Sequence, residues 1–278
     1  MKKISKMTIA AKLFAVILCL ALISGIASSA TAAEAGESGL GKCVDAFEAA
    51  ESIFTDLKEF IQDESAASDD DEGEFDTSEA EAMLKELQDY VNRLDGLISG
   101  LDGLSQDMNT SEGKTVRATR DYLIMLKNMA YDLNELVGYS LDFYAAVMPM
   151  GEMDENVEDY EEFADMIYIN TSESLEMLND ITPPAYLAIT HNDLIARVQE
   201  FNDFALDFYM AAYMEDPLRI YSCMYRMDRI EAMFTKCGGN LDDDIMLQLR
   251  QAERRIGGPI STLRSELSAT FELLKGGN

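Results

Sequence analysis

An acidic stretch, residues 63–79, comes closest to a functional site by residue type and spacing, since it holds nine acids and no base. If Ser68 is taken as the first residue of a 12-residue calcium loop, Gly73 falls at the sixth position, where such loops turn sharply. Serine first and glutamate fifth depart from the usual pattern, so we expect a solvated acidic linker, with weak calcium binding as the alternative. The side chains that would supply the calcium ligands are Ser68, Asp70, Glu72, Asp76 and Glu79.

Three cysteines follow the N-terminal segment: Cys43, Cys223 and Cys237. Cys223 and Cys237 are 14 residues apart on one predicted helix, about 21 Å along its axis, which is too far for a disulfide. Any internal bridge must therefore use Cys43. Its expected partner is Cys237, near the predicted end of its helix, and Cys223 is the alternative. The odd number of cysteines leaves a free thiol, an intermolecular bond or full reduction open.

The chain has a single histidine, His191, on the apolar side of a predicted helix. Leu187 and Ile195 occupy the positions one turn away, so no second metal ligand is adjacent to it. We therefore predict a packed, hydrogen-bonded histidine rather than a ligand or a catalytic base. No nucleophile, base or metal set converges in the sequence, so we expect a protein that is not an enzyme.

The elements that would position these residues are helices, because apolar residues recur at alternating steps of three and four. No stretch alternates with period two. The sequence predicts an all-α protein, an elongated antiparallel helical bundle of about six or seven helices. The apolar seams lie within residues 43–61, 80–101, 116–149, 157–181, 187–212 and 220–237.

Helix ends are predicted from caps, prolines and glycines. Ser78 and Glu81 match a capping box that would open the second helix. The Thr-Pro-Pro segment 182–184 should end the fourth helix and open the fifth, with its threonine as cap. The glycine pair 238–239 should end the sixth helix. The Gly-Gly-Pro segment 257–259 should break or kink the last one.

The N-terminal segment, residues 1–33, has the composition of a secretory signal peptide. Four lysines (Lys2, Lys3, Lys6 and Lys12) precede an apolar run, residues 13–26. The run ends in small residues with an Ala-x-Ala exit, residues 30–32. We predict cleavage near Ala32 or Ala33, leaving residues 34–278 as one helical-bundle domain. An uncleaved membrane anchor is the alternative, because residues 13–33 are all uncharged and a span needs roughly 20 residues.

The formal net charge of −30 limits the partners of the protein. Cleavage after Ala33 would remove four lysines and take the charge to −34. Such a chain should not bind nucleic acid, whereas a protein or a cationic partner is compatible with it. Four cations on the predicted sixth helix lie off its apolar seam and should face an acidic helix of the same protein. An anionic wall polymer is the alternative target of these cations, which are Arg219, Arg226, Arg229 and Lys236.

These features predict an exported helical-bundle protein, secreted or held at the extracytoplasmic cell surface. Its expected role is an interaction or binding module that recognises a partner by a helical face. The alternative is a membrane-anchored ligand-sensing or solute-binding bundle, which requires the N-terminal segment to stay uncleaved. A weak calcium-binding protein is the third hypothesis, and no cofactor other than calcium is expected.

Overall fold

A computed structural model describes residues 39–66, 77–104, 106–151 and 159–276. These ranges contain no β-strand, and the all-α helical bundle predicted from the sequence is confirmed. The helices number seven there, or six if the last two, which continue through a π-helical turn (Ile256–Ile260), are taken as one. They are α1 (Gly39–Ala66), α2 (Thr77–Gly100), α3 (Ser111–Gly151), α4 (Tyr160–Asp180), α5 (Ala188–Tyr213), α6 (Pro217–Arg255) and α7 (Ser261–Gly276).

The described residues group into two compact units. The central unit consists of the described residues within Leu136–Leu247. The terminal unit contains α1, the described residues within Ser78–Glu135, and residues 248–276. The division falls within α3 and within α6. Within the described residues, no helix combines the length and the apolar character needed to cross a membrane.

In the central unit, α4 and α5 pack antiparallel. His191, near the start of α5, bonds to Leu178, near the end of α4. Phe208, near the end of α5, lies edge-on to Phe163, near the start of α4, with ring centroids 6.2 Å apart. Residue numbers therefore rise on one helix as they fall on the other, as expected for helices joined by a short connection.

In the terminal unit, α7 packs antiparallel to α1. The Arg264 guanidinium donates from Nε to Glu51 Oε1 at 2.9 Å and lies 4.8 Å from the Phe54 ring centroid. Further along α7, the Phe271 ring lies 5.3 Å from that of Phe47. A guanidinium that pairs with a carboxylate and stacks on a ring fixes both the register and the rotation of the two helices.

The third antiparallel pair, α2 with α3, is held by two exposed ion pairs. Lys127 Nζ lies 2.6 Å from Asp95 Oδ1, and Arg120 pairs with Asp102. Exposed pairs of this kind contribute about 0.2–1 kcal/mol each. The apolar seams beneath them therefore supply most of the stability of this pair.

The predicted seams form the cores of both units. The α5 seam is buried along its whole length, because each of its members faces a neighbouring helix. The buried α5 seam is Leu187, His191, Leu194, Val198, Phe201, Ala205, Phe208 and Ala212.

The predicted start of the fifth helix is wrong. Residues 182–184 are not helical, and α5 begins at Ala188 after a short turn. A proline disfavours helical geometry in the residue before it, and here two prolines follow in succession. Ile181 is already extended, with ψ 131°. The Leu187 amide then donates to the Pro184 carbonyl at 2.9 Å, which turns the chain into α5.

The predicted end of the sixth helix at residues 238–239 is also wrong, since α6 continues to Arg255. Each helical glycine costs about 1 kcal/mol relative to alanine. The apolar seam on both sides of the pair outweighs that cost, because it is buried from Phe234 through Leu241 to Leu249. The helix therefore continues through two residues that by themselves disfavour helical structure.

Two other boundaries differ slightly, and one break is confirmed. The helix α2 begins at Thr77, so Ser78 lies within it rather than before it. The acidic loop is shorter than predicted, since α1 extends to Ala66. The predicted kink at residues 257–259 is the π-helical turn, in which the Ser261 hydroxyl donates to the Ile256 carbonyl at 2.6 Å. A π turn widens the helix where proline cannot donate.

Candidate helix-docking face on α6

The helix α6 packs antiparallel against α5 through one side, which we call its inner side. The Phe201 and Phe234 rings meet edge to face, with centroids 5.4 Å apart. Toward the start of α6, the Cys223 thiol lies 3.7 Å from the Asp207 carboxylate. This inner side of α6 is the apolar seam predicted from the sequence, and Cys223 and Ile230 on it are buried.

A tight turn, residues 214–216, connects α5 to α6. Glu215 has a φ of 49°, the left-handed conformation that usually selects glycine after a helix. Its amide donates to Ala212, and that of Asp216 donates to Ala211, which is the Schellman arrangement. Asp216 Oδ1 then accepts from the amides of Leu218 and Arg219, both at 3.1 Å. Asp216 is therefore the N-cap of α6.

This cap leads to our first prediction. Asp216→Ala should lower the free energy of unfolding by about 1 kcal/mol, because two amides of the first turn lose their acceptor. Glu215→Gly should raise the free energy of unfolding, since glycine adopts positive φ without the steric cost of a side chain. Urea denaturation followed by circular dichroism measures both. Equal effects of the two substitutions would contradict this account of the turn.

The outer side of α6 carries an exposed apolar and aromatic stripe. Leu218 is 83%, Tyr221 75% and Tyr225 80% exposed, at helical spacings of three and four residues. Single exposed apolar side chains are normal on protein surfaces, but three in line on one helix form a patch. The stripe continues at the same spacing through exposed residues to the middle of the helix. We call Leu218, Tyr221, Tyr225, Arg229, Ala232 and Lys236 the outer stripe.

The turn adds further apolar surface next to the outer stripe. Tyr213 is 64% and Met214 59% exposed. The Tyr213 ring stacks on Tyr209, and that ring stacks on Tyr168 of α4, with centroids 6.4 and 6.1 Å apart. Stacked tyrosines hold their rings in fixed orientations, so this surface is partly ordered before anything binds to it.

The four predicted cations of α6 divide into two pairs. Arg219 Nε and Arg226 Nη1 donate to opposite oxygens of Asp207, at 3.1 and 2.9 Å. These bonds, Arg219 first, hold the pKa of Asp207 below its ordinary value. Arg229 and Lys236 are exposed and form no ion pair with any carboxylate whose side chain the structure describes. The prediction that the ridge faces an acidic helix is confirmed for Arg219 and Arg226 only.

The three described cysteines lie in surroundings that favour the protonated thiol. Burial first, and then the carboxylate beside each thiol, raises the pKa of Cys223 and Cys237. The Cys237 thiol donates to Asp193 Oδ2 at 3.4 Å. Burial also raises the pKa of Cys43. A thiol that stays protonated at neutral pH is a poor nucleophile and a poor metal ligand.

The Cys43–Cys237 disulfide expected from the sequence is not formed, since all three cysteines among the described residues are buried free thiols. Cys43 is packed in the core of the terminal unit, and Cys237 lies beside Asp193 in the central unit. Cys223 and Cys237 do share one helix, as predicted. The sequence could exclude the pairing within α6, but it could not place Cys43.

His191 is packed and hydrogen-bonded, as predicted. Its side chain is 2% exposed, with Nε2 3.1 Å from the Leu178 carbonyl and Nδ1 3.2 Å from the Tyr139 hydroxyl. A carbonyl only accepts, so Nε2 carries the proton and Nδ1 accepts from the tyrosine. Both ring nitrogens therefore have partners within the protein, which leaves neither available for catalysis or for a metal.

The calcium hypothesis falls outside the described part of the chain. Ser68, Asp70, Glu72 and Asp76 lie outside the described residues, and so does the side chain of Glu79. Calcium binding at this loop therefore stays a prediction. Among the side chains that are described, no group of three or more His, Cys, Asp or Glu is arranged to hold a metal ion.

The outer stripe was missed in the sequence because only the inner seam of α6 was followed. Its signal was present, since Leu218, Tyr221 and Tyr225 have the same three-and-four spacing on the opposite side of the helix. A helix with apolar residues on two opposite sides can bury only one of them against a single neighbouring helix.

No protein-family model matches the chain, and neither a curated protein nor a solved structure is significantly similar to it.

Proposed function

We propose that this protein is an exported helical-bundle interaction module that docks a partner protein through the outer stripe of α6. The observation that carries this proposal is the alignment of Leu218, Tyr221 and Tyr225, each at least 75% exposed, on one side of one helix. The signal-like residues 1–33 support export. The proposed site of action is therefore the extracytoplasmic surface or the secreted fraction.

The residue types of the outer stripe favour protein docking. Tyrosine and arginine are enriched among the interface residues whose truncation costs most binding energy. A tyrosine ring offers a large rigid surface with few rotatable bonds, and its hydroxyl can stay hydrated at the rim. Arg229 and Lys236 extend the apolar end of the stripe with charge that no described carboxylate neutralises. Protein interfaces combine an apolar patch with polar residues that adjoin it, as the two ends of this stripe do.

Other exposed apolar residues do not form a comparable face. Ile189 is 86% exposed at the start of α5 but has no exposed large apolar residue one turn away. Leu273 and Leu274 are exposed near the end of α7 but are adjacent in sequence, so they point about 100° apart around the helix. The outer stripe is therefore the best candidate for a docking surface among the described residues.

Site-specific photo-crosslinking in the source cells tests this second prediction. A photoreactive phenylalanine at position 221 should yield a discrete adduct with a partner protein. The same group at position 131 is the matched control, because Tyr131 is an exposed tyrosine, 50% accessible, on α3 of the terminal unit. We expect at least about a tenfold difference in adduct yield, as for truncation of a central interface residue.

A second arm asks whether the stripe itself makes the contact. Leu218→Glu combined with Tyr225→Glu should abolish the adduct at position 221, since two charges would then be buried against an apolar partner. Both residues are at least 80% exposed, so the fold should be unchanged by circular dichroism. Equal adducts at positions 221 and 131, or an adduct that survives the double substitution, would refute the docking face.

A further inference from the structure

We infer that the partner element that covers the outer stripe is an acidic amphipathic α-helix, an inference that rests on the function proposed above. The first observation is spacing. From Leu218 to Lys236 the members of the outer stripe follow one another at three or four residues. Steps of three and four residues keep the side chains on one side of the helix, where a second helix can lie along them. The stripe spans 19 residues, which is 18 steps along the chain and about 27 Å along the helix, and it matches about five turns of a helix lying along it.

The second observation is charge. Residues 217–240 of α6 contain four cations and two acids, in a chain with a net charge of −30. Arg219 and Arg226 both pair with the Asp207 carboxylate within the protein. Arg229 and Lys236 are members of the outer stripe itself, seven residues apart, and both are exposed. Cations repeated at that spacing along a docking face select a partner helix with acids at the positions that face them.

A second copy of this chain is a poor occupant of the stripe. Parallel pairing of two outer stripes would place Arg229 and Lys236 opposite the same residues of the second copy, and antiparallel pairing would place Lys236 opposite Leu218 without an acid to pair with. Each copy also carries a net charge of −30, and like charges across an interface cost binding energy. An anionic membrane is also disfavoured. Each cation near such a surface contributes little binding free energy, and of the four cations only Arg229 and Lys236 have no carboxylate partner among the described side chains. A lipid surface also has no side chains at spacings that match the stripe. A helix of another protein, acidic along one edge, satisfies both spacing and charge.

The probe is a synthetic 21-residue helix with leucine at the two core heptad positions and glutamate at the flanking positions. The control peptide, called the lysine helix, has lysine in place of every glutamate. Poly-glutamate and vesicles containing anionic lipid are tested alongside both peptides. Binding to the full-length purified protein is measured by fluorescence anisotropy at low and high salt. The expected result is tighter binding of the acidic helix than of the lysine helix by about tenfold or more, with the difference reduced at high salt.

Variants assign the binding to the stripe. Arg229→Glu with Lys236→Glu should reverse the preference and favour the lysine helix. Lys114→Glu with Arg117→Glu makes the same charge change at exposed positions of α3 and should leave the preference unchanged. Leu218→Glu with Tyr225→Glu should weaken both peptides, because the apolar contact is lost.

Three results would overturn the inference. The first is equal binding of the two helices. The second is poly-glutamate binding as tightly as the acidic helix, which would mean that negative charge alone accounts for the binding. The third is vesicle binding that the acidic helix does not displace. If the peptides fail while the crosslink at position 221 persists, the docking face stands and only the chemistry of the partner is wrong. If the crosslink fails as well, the proposed function fails with it.

Discussion

Gly113→Ala is expected to lower the free energy of unfolding by about 1–3 kcal/mol, the usual cost of forcing an extra methyl into a packed site. A Cβ at this position would lie 2.6 Å from the backbone N and 2.8 Å from the carbonyl C of Asp107, and closer still to its oxygen. Backbone atoms cannot rotate away as a side chain can, so the loop before α3 must shift.

That loop is fixed by the cap of α3, which explains why Asp107 approaches so closely. The Thr110 hydroxyl donates to the Asp107 carbonyl at 2.9 Å and accepts from the Gly113 amide at 3.0 Å. One side chain thus holds the loop and the first turn of the helix together. A shift of Asp107 would break this arrangement, so the cost of the methyl includes part of the cap energy, about 1 kcal/mol.

Gly96→Ala is the matched control. Gly96 is an exposed interior residue of α2, and an added Cβ there meets no atom within 4 Å. Alanine should therefore stabilise the protein by about 0.5–1 kcal/mol, because the unfolded chain loses freedom and the helix gains propensity. Urea denaturation of the two variants beside the wild type measures both. The same sign of change at the two positions would contradict the structure of the Asp107 loop.

His191 is expected to make the stability of the protein depend on pH. Burial lowers the pKa of His191 below its ordinary value, although the hydrogen bond to Leu178 opposes this shift. The unfolded histidine takes up a proton near pH 6.5, at a pH where the folded one stays neutral. Its contribution to stability is therefore complete above that pH. As the pH falls, it is lost at up to about 1.4 kcal/mol per pH unit until the folded residue also titrates.

His191→Gln isolates this effect from the many carboxylates of the chain. Glutamine can still donate to the Leu178 carbonyl, but it does not titrate. At pH 8 the variant should be less stable than the wild type by about 1–3 kcal/mol, because the buried Tyr139 hydroxyl loses its acceptor. The difference should narrow by pH 5. A difference that stays constant between pH 8 and pH 5 would show that His191 does not titrate in this range.

The helical seams were predictable from the sequence because burial on a helix has a period of 3.6 residues. The α5 seam, from Leu187 to Ala212, is buried as expected. Predictions that rested on local signals fared less well. The Thr-Pro-Pro segment does end α4, as expected, but it does not open α5. The Gly-Gly pair was expected to end the sixth helix, and α6 continues through it. In α6 the buried seam outweighs two glycines, and before α5 successive prolines delay the helix.

The candidate docking face shows the same limit. The sequence placed Arg219, Arg226, Arg229 and Lys236 on one ridge of the sixth helix, and it supplied the spacing of Tyr221 and Tyr225. It could not say that Asp207 of α5 would pair with the first two cations and leave the other two exposed. Which ridge residues meet a neighbour depends on where α5 ends and how the turn at Glu215 directs α6.

The sequence by itself therefore determined the helical class, the inner seams and the separation of Cys223 from Cys237, because these follow from the geometry of a single helix. The tertiary structure decided what faces each side of that helix. It brought Asp207 to Arg219, placed Cys43 in a core without a bridge, and left Leu218, Tyr221 and Tyr225 uncovered. The reason is that a periodic pattern fixes directions around one helix axis, whereas a neighbour is supplied by residues far away in the chain.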